Sequence, residues 1–288
     1  MKSGKSISIF YFRNACSYYS SEQPLQNALL FVAEIGNTTA SFAVFSGEEC
    51  LAVHKVPSIM LSGYEDVTAQ VAPILKKYPA IADAALCSVV PSIGSFVSNF
   101  LRDQLTGRVL EVTSQVQLPF MLRYASLESF GADRIALCAQ SSRLYPEEAV
   151  IALDIGTAIT VDVLGSDRAY LGGLILPGLD LMAKALNQHT AQLPLVSMNL
   201  PDTLIGSSTS ECIRNGIIWG CVSGIEGLLV KIKTMLLEKH NEENIRVIAT
   251  GGNAPLIVGM LAASPVLDEL AVLRGTRYLF TFNAHSSL

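Results

Sequence analysis

The sequence predicts an α/β protein of two related domains facing one cleft, on three observations. The chain has 288 residues, half of them hydrophobic and 16% charged. That is enough for two domains of ordinary size with a large core, and it opposes global disorder. A strand–turn–strand unit with an acidic residue closing its first strand occurs twice. Around these units, apolar strand-like runs alternate with helix-spaced ones, the pattern of layered α/β folds.

The later unit is Ile151 to Leu164, IALDIGTAITVDVL. An apolar run leads into Asp154, Gly156-Thr157 makes a tight turn, and a second apolar run carries Thr160 and Asp162. Glycine lets a ligand approach the backbone. Exposed N–H groups and threonine hydroxyls suit phosphate oxygens, and a nearby carboxylate suits a hydrated cation. Alone, the stretch reads first as an ordinary hairpin with polar turn residues. The earlier unit, Leu29 to Phe45 (LLFVAEIGNTTASFAVF), repeats the plan in register. Glu34-Ile35-Gly36-Asn37-Thr38 matches Asp154-Ile155-Gly156-Thr157-Ala158, with the two glycines 120 residues apart. The architecture resembles actin-like phosphotransferases, in which two such hairpins hold the phosphates of ATP. The expected fold is therefore α/β: two ribonuclease H-like (actin-like) domains with an ATP cleft between them.

Each element follows in order. Residues 1–28 read as an N-terminal extension, polar and aromatic, with Tyr11, Tyr18 and Tyr19 among serines. It lacks the apolar stretch of a secretory signal, and Ser3-Gly4-Lys5-Ser6 lacks the upstream glycine and strand of a P-loop. After the first hairpin, Ser46-Gly47-Glu48-Glu49 turns the chain into a third strand, Cys50 to Val56. Tyr64 to Tyr78 has helical spacing at Val67, Val71, Ile74 and Leu75, and Lys76-Lys77 suits a helix C-terminus. Ala84 to Val90 is a buried strand ended by Pro91, Ile93 to Leu105 an amphipathic helix, and Val109 to Val112 a short strand. The loop Arg123 to Arg134 (RYASLESFGADR) precedes a helical stretch from Ile135 to Leu144. Beyond the second hairpin, Gly172-Gly173 to Pro177-Gly178 reads as a strand and turn before a helix, Leu179 to Leu186. Ser208 to Leu237 is a long helical stretch whose Gly216, Gly220, Gly224 and Gly227 allow close packing, at a dimer interface or against the core. Arg246 to Thr250 is a strand, Gly251-Gly252-Asn253 a loop, and Val266 to Phe282 a final helix. The expected domains are 29–146 and 147–288, with the final helix able to cross back onto the first.

Composition excludes several classes. A net charge of −5 without a Lys/Arg cluster argues against nucleic acid. No apolar run reaches the ~18 residues of a membrane span. The six cysteines form no Cys-x-x-Cys pair, and the four histidines show no metal-ligand spacing. Reduced thiols in a cytoplasmic protein are the simpler reading.

Asp133 and Arg134 stand at a helix N-terminus, where dipole and N–H groups favour anions. Such a pair is ordinarily a surface ion pair or an N-cap. The functional reading has Asp133 accepting a proton from a substrate hydroxyl while Arg134 holds a substrate carboxylate in its fork.

An ordered set of pieces covers the chain from Leu29 to Gly252: EIGNTTASFAVF, SVVPSI (Ser88 to Ile93), Tyr124 followed by GADR, DIGTAITVD, GGLILPGLDLMAKAL (Gly172 to Leu186), HTAQLP (His189 to Pro194), IGSSTSECIRNGIIWG (Ile205 to Gly220) and ATGGNA (Ala249 to Ala254). In this order they resemble the type III pantothenate kinases. The resemblance implies ATP-dependent phosphorylation of pantothenate to 4′-phosphopantothenate, the first step of coenzyme A biosynthesis, by a homodimer. It implies that Glu34, Ile35, Gly36, Asn37, Thr38, Thr39, Ala40 and Ser41 form the first phosphate hairpin, and that Thr157 touches ATP from the second. Asp154 would help bind a monovalent cation, K⁺ or NH₄⁺, and Mg²⁺ would accompany ATP. Tyr124, Gly131, Ala132, Asp133 and Arg134 would line the pantothenate pocket, with Asp133 as general base. Thr190 would close that pocket across the subunit interface. One departure stands out: the family's first hairpin begins with aspartate, and this chain has Glu34. The extra methylene moves the carboxylate by roughly 1.5 Å, and misplacement on that scale can cost about 10²-fold in rate. Two alternatives stay open: a catalytically weakened or regulatory, accessory-factor-like homologue, which Glu34 feeds, and an actin-like kinase for another small hydroxy acceptor, which would share the paired phosphate hairpins.

Overall fold

The computed structural model describes residues 28–284; the readings made for the N-terminal extension lie outside them. Two five-stranded sheets share one topology. In the first, β1 (Leu29–Ile35), β2 (Thr39–Ser46) and β3 (Glu49–Pro57) form an antiparallel meander, and β4 (Asp83–Ser88) and β5 (Val109–Glu111) add in parallel beside β1, in the order β3-β2-β1-β4-β5. In the second, β6 (Ala149–Ile155), β7 (Ala158–Leu164), β8 (Tyr170–Pro177), β9 (Ile245–Thr250) and β10 (Val266–Leu267) repeat it as β8-β7-β6-β9-β10. Even the irregularities recur: the register shifts between the second and third strands at Val44/Phe45 and again at Val163/Leu164. The repeat seen in a few residues thus extends through both halves.

Burial explains the strands. β1 and β6 are central and covered on both faces, so they read as continuous apolar runs, LLFVA and AVIAL. The edge strand β3 alternates between partly buried and exposed positions. Helices α1 (Tyr64–Lys77) and α2 (Pro91–Gln104) cover the outer face of the first sheet, where Val67, Val71, Val97, Phe100 and Leu101 pack with Phe31 and Phe42. α4 (Leu179–Gln188) and α5 (Thr209–His240) cover the outer face of the second. A Ser208/Glu211 capping box starts α5, and Asn241 in the left-handed conformation ends it. A short α6 (Ala254–Val258) follows β9.

Between the sheets lie α3 (Ala132–Leu144) and α7 (Ala271–Phe282). Their fifth residues meet: a Cβ on Gly275 would overlap the Ala136 carbonyl. α3 packs on the second sheet through a cluster that includes Ile135, Val150, Ala152 and Leu164. α7 packs on the first, where Leu273 and Phe280 join Leu30, Val32, Ala43 and Phe45. Each half therefore lends a helix to the other's sheet, and the C-terminal helix does cross back.

Two boundary differences change the reading of an element, beyond shifts of a few residues at other ends. α3 begins at Ala132, so Asp133 and Arg134 lie inside its first turn. The final helix begins at Ala271, not Val266. Val266 and Leu267 pair with β9, and the Asp268 N–H donates to the Ala249 carbonyl while its carboxylate accepts from Leu270 N–H. Leu267 and Leu270 match the helical spacing by coincidence, because sheet pairing and an Asp turn hold the chain extended there. Among the described residues no helix is long and apolar enough to cross a membrane.

Candidate active site

Both hairpin tips point into one cleft, and each is braced by the same device. Gly36 N–H donates to the Thr39 carbonyl and Gly156 N–H to that of Ala158, both at 3.0 Å. The chain leaving β3 supports the first tip, with Ser58 Oγ donating to the Gly36 carbonyl (2.6 Å) and Ser58 N–H to that of Thr38 (2.9 Å). The chain leaving β8 supports the second, with Gly178 N–H donating to the Thr157 carbonyl (3.0 Å). Gly178 must be small, since a Cβ would run into the Gly156 and Thr157 carbonyls. The tips touch each other: Thr38 Oγ1 and Thr157 Oγ1 are 2.7 Å apart.

Behind the tips is a cavity of about 800 Å³. Its walls include Glu34, Gly36 to Thr39, Asp133, Asp154, Gly156 to Ala158 and Thr160, with Asp180 and Lys184 from α4 and Gly252 and Asn253 from the loop after β9. Gly251, at φ +97°, passes so close to Asp154 and the Ile155 backbone that no side chain fits. The structure thus brings Glu34, Asp133, Asp154 and Thr157 together, as well as the Gly252-Asn253 loop. Asp180 and Lys184 were not picked out from the sequence; their only local signal is a charged pair one turn apart on α4.

Three carboxylates share this wall and push each other's proton affinity up. Burial, with Asp133 as the next cause, raises Glu34 from 4.5 to about 7, partly opposed by Lys55. Burial, then Asp133, Glu34 and Asp162, raises Asp154 from 3.8 to about 7. Asp133 is raised chiefly by burial, while its hydrogen bond from Arg134 N–H (2.8 Å) works the other way. Oxygen-rich, mutually repelling carboxylates beside phosphate-sized hairpins fit hard cations such as Mg²⁺ and K⁺. Among the described residues no three His, Cys, Asp or Glu side chains form a ready-made metal cage.

Arg134 departs from its expected role as an open fork. Its side chain is 7% exposed and turned inward onto Asp162. Nε donates to both Asp162 oxygens (3.0 and 3.2 Å), and Nη2 donates to Asp162 Oδ1 (2.7 Å) and to the Tyr170 hydroxyl (2.7 Å). The bidentate edge is therefore taken, and Nη1 is the nitrogen outside that grip. Phe130, Tyr124 and Tyr170 surround it edge-on to one another, with Tyr124 and Phe130 centroids 4.9 Å apart. Tyr124 thus stands beside Arg134, its ring centroid 5.9 Å from the guanidinium carbon. Thr190 does not join the cavity. It follows α4, accepts from Leu193 N–H and donates to the Leu186 carbonyl, and lines a separate apolar groove.

Comparison with known proteins matches the chain to a family. The family model described as type III pantothenate kinase matches residues 30–231. The type III pantothenate kinase of Chlorobium luteolum is 53% identical over 254 residues, 88% of this chain and 94% of the relative. That of Chlorobium chlorochromatii is 44% identical over 256 residues, 88% and 96% of the two chains. Among solved structures, a Campylobacter jejuni protein described as a Baf family transcriptional activator is 20% identical with a TM-score of 0.53, covering 88% of this chain and 98% of its own. A Listeria monocytogenes protein described as an N-acetylmannosamine kinase is 13% identical with a TM-score of 0.50, covering 88% and 99%. At those identities the structural likeness is one of fold, the actin-like two-domain architecture. With a family match over most of its length and close relatives spanning nearly their full chains, the chain belongs to the type III pantothenate kinase family.

Proposed function

We propose that this protein transfers the γ-phosphoryl group of ATP to the 4′-hydroxyl of pantothenate, the first step towards coenzyme A. The observation that carries this reading is the placement of Asp133 in the first turn of α3, facing a cavity walled by two phosphate-type hairpins. Phosphoryl transfer asks for positioning and charge neutralisation more than covalent help. Glu34 to Ser41 and Thr157 would hold the triphosphate by backbone N–H groups and hydroxyls, with Lys184 on the facing wall. Asp133 would take the hydroxyl proton as the acceptor oxygen attacks, and burial raises its affinity for that proton in the useful direction. Asp154 and Glu34 are the carboxylates that would hold cations, Mg²⁺ with ATP and K⁺ or NH₄⁺ beside Asp154. When bound, those ions supply positive charge against the phosphates. Gly131, Ala132, Tyr124 and Arg134 would form the acceptor side, Arg134 offering one nitrogen and its charge.

The active unit in this reading is a homodimer in the cytoplasm. Along α4 and α5 runs an apolar groove of about 810 Å³, lined by Gly216, Gly220, Gly224, Ile213, Ile217 and Thr190. A Cβ on any of these three glycines would meet nothing within 4 Å in its own chain. Small residues on an open helical face suit a second copy of the same helix, and Thr190 would then reach the partner's pantothenate pocket. Gly220→Glu leaves the monomer's packing untouched and should turn a sedimenting dimer into a monomer of reduced activity.

The weakened or regulatory alternative rests on Glu34. Its carboxylate lines the same wall as Asp133 and Asp154, which favours a working site with a longer arm. The other-acceptor alternative is disfavoured by Tyr124 standing beside Arg134, as the pantothenate resemblance requires. The test is phosphate transfer from ATP to pantothenate with Mg²⁺ and either K⁺ or Na⁺. K⁺-dependent 4′-phosphopantothenate, lost in Asp133→Asn and kept or improved in Glu34→Asp, is expected. No product from the folded parent chain or from Glu34→Asp would return the protein to the regulatory or other-acceptor readings.

A further inference from the structure

The internal repeat exposes an asymmetry at the Arg134–Asp162 pair. Asp162 pairs with Ala152 of β6, two residues before Asp154. Its equivalent in the first sheet is Ala43, paired with Val32, two residues before Glu34. Arg134 is the third residue of α3, and the third residue of α7 is Leu273. Leu273 and Ala43 belong to one apolar cluster. The fold therefore closes this helix–sheet contact with hydrocarbon in one half and with a buried ion pair in the other. Buried pairs are often replaceable by apolar side chains without loss of stability, so packing alone does not account for the charges.

The geometry shows what the charges do. Asp162 is fully buried and holds Arg134 by Nε and Nη2. The Tyr170 hydroxyl closes the triangle, donating to Asp162 Oδ1 (2.9 Å) and accepting from Nη2. All hydrogens on Nε and Nη2 are thereby used, and only Nη1 is left to point elsewhere. Phe130 lies under the guanidinium with its centroid 4.5 Å from Cζ. Gly173, opposite Asp162 on β8, leaves room for the triangle: a Cβ there would lie 2.7 Å from both Arg134 Nη2 and the Tyr170 oxygen. A guanidinium fixed on two of its three nitrogens can meet a ligand carboxylate through Nη1 alone, where Tyr124 is its other hydrogen-bonding neighbour, and Arg134 directly follows Asp133 in the first turn of α3.

We propose that Asp162, assisted by Tyr170, is a positioning residue that fixes Arg134 with one nitrogen available beside Asp133, and so sets the preference for an acceptor that carries a carboxylate. This rests on the reading of Arg134 as a pantothenate contact given above. An unanchored arginine would still attract the anion but would hold it in many poses, raising KM and blurring selectivity.

The test compares pantothenate with pantothenyl alcohol, in which a CH₂OH replaces the carboxylate, as acceptors for the whole 288-residue chain. Asp162→Asn, Tyr170→Phe and Arg134→Lys run beside the parent. Asp162→Asn should raise KM for pantothenate by about tenfold or more, the scale of a hydrogen bond to a charged group, with a smaller fall in kcat. Its kcat/KM preference for pantothenate over the alcohol should shrink by a similar factor. Tyr170→Phe should move both in the same direction by less, and it serves as the test if Asp162→Asn does not fold. Equal losses for the two acceptors would mean that Asp162 only supports the fold, and would overturn the proposal. A parent with no preference, or an Arg134→Lys variant that keeps it fully, would instead remove the reading of Arg134 beneath the proposal.

Discussion

Thr38 and Thr157, 119 residues apart in sequence, bring their hydroxyls within 2.7 Å at the tips of the two hairpins. Both residues are exposed to the cleft, and the bond joins one half of the molecule to the other. A hydroxyl pair of this kind can exchange its mutual hydrogen bond for bonds to phosphate oxygens at little cost, since one polar partner replaces another. Breaking that one contact would free both hydroxyls for other acceptors.

Thr157→Ala should therefore act on ATP rather than on folding. A lost hydrogen bond to a charged oxygen is worth about 1.5–3 kcal/mol, so KM for ATP should rise roughly 10- to 100-fold. The thermal midpoint without ligand should stay near that of the parent, because the pair is solvent-exposed. Steady-state kinetics at saturating pantothenate, beside a melting curve, separates the two effects. An unchanged KM for ATP would take Thr157 out of the phosphate site.

Asp133→Asn should reduce kcat by about 10²- to 10⁴-fold, the usual contribution of a positioned base. Ligand-free stability should hold or rise. Asp133 is the neighbouring charge that most raises both Glu34 and Asp154, so removing it relieves repulsion while the amide keeps the shape. A variant that loses activity and also melts well below the parent would point to a structural part for Asp133.

The hairpins and central strands were legible because β1 and β6 are buried on both faces and so read as unbroken apolar runs. The repeat was legible because both strands end in a carboxylate followed by Ile-Gly. The start of α7 was not, since Leu267 and Leu270 fit a helical period while sheet pairing decides their conformation. Asp162 was visible only as a charge between Val161 and Val163. Its partner is 28 residues away on another element, and strand alternation says that it faces inward but not what it meets. The inward turn of Arg134 follows from that same pairing, so the sequence suggested an open fork where the structure has an occupied one. Lys184 depends on how α4 lies against the cleft.

Titration should report the carboxylate wall. Glu34 and Asp154 have folded values of about 7, whereas in the unfolded chain they ionise in the ordinary carboxylate range near 4. Between about pH 4 and 7 the folded protein binds more protons than the unfolded one, so these groups make ligand-free stability fall as pH rises through that window. Cations bind the ionised form, and their affinity should climb with pH and level off above about 7. The increase in melting temperature on adding Mg²⁺ and ATP should accordingly widen from pH 5 to pH 7 and then hold. Glu34→Gln should flatten that widening. A gap independent of pH would mean that these carboxylates do not face the cations.

Gly275→Ala should be costly for a residue far from any ligand. The added methyl would overlap the Ala136 carbonyl oxygen, which is backbone and moves only if a helix moves. Forcing apart such a contact costs about 1–3 kcal/mol, occasionally more, against a gain of up to about 1 kcal/mol in helix propensity. Ala136 is one turn along α3 from Asp133 and half a turn from Arg134. A shift that relieves the overlap therefore displaces Asp133 and Arg134 along with their helix. Equilibrium unfolding in urea should show a lower midpoint, and the surviving folded protein should turn over pantothenate more slowly with KM for ATP less affected. Full activity at reduced stability would mean that α3 yields at its far end and leaves its first turn in place. Full stability would mean that α7 slides along α3 and that the close crossing of the two helices is not fixed by Gly275.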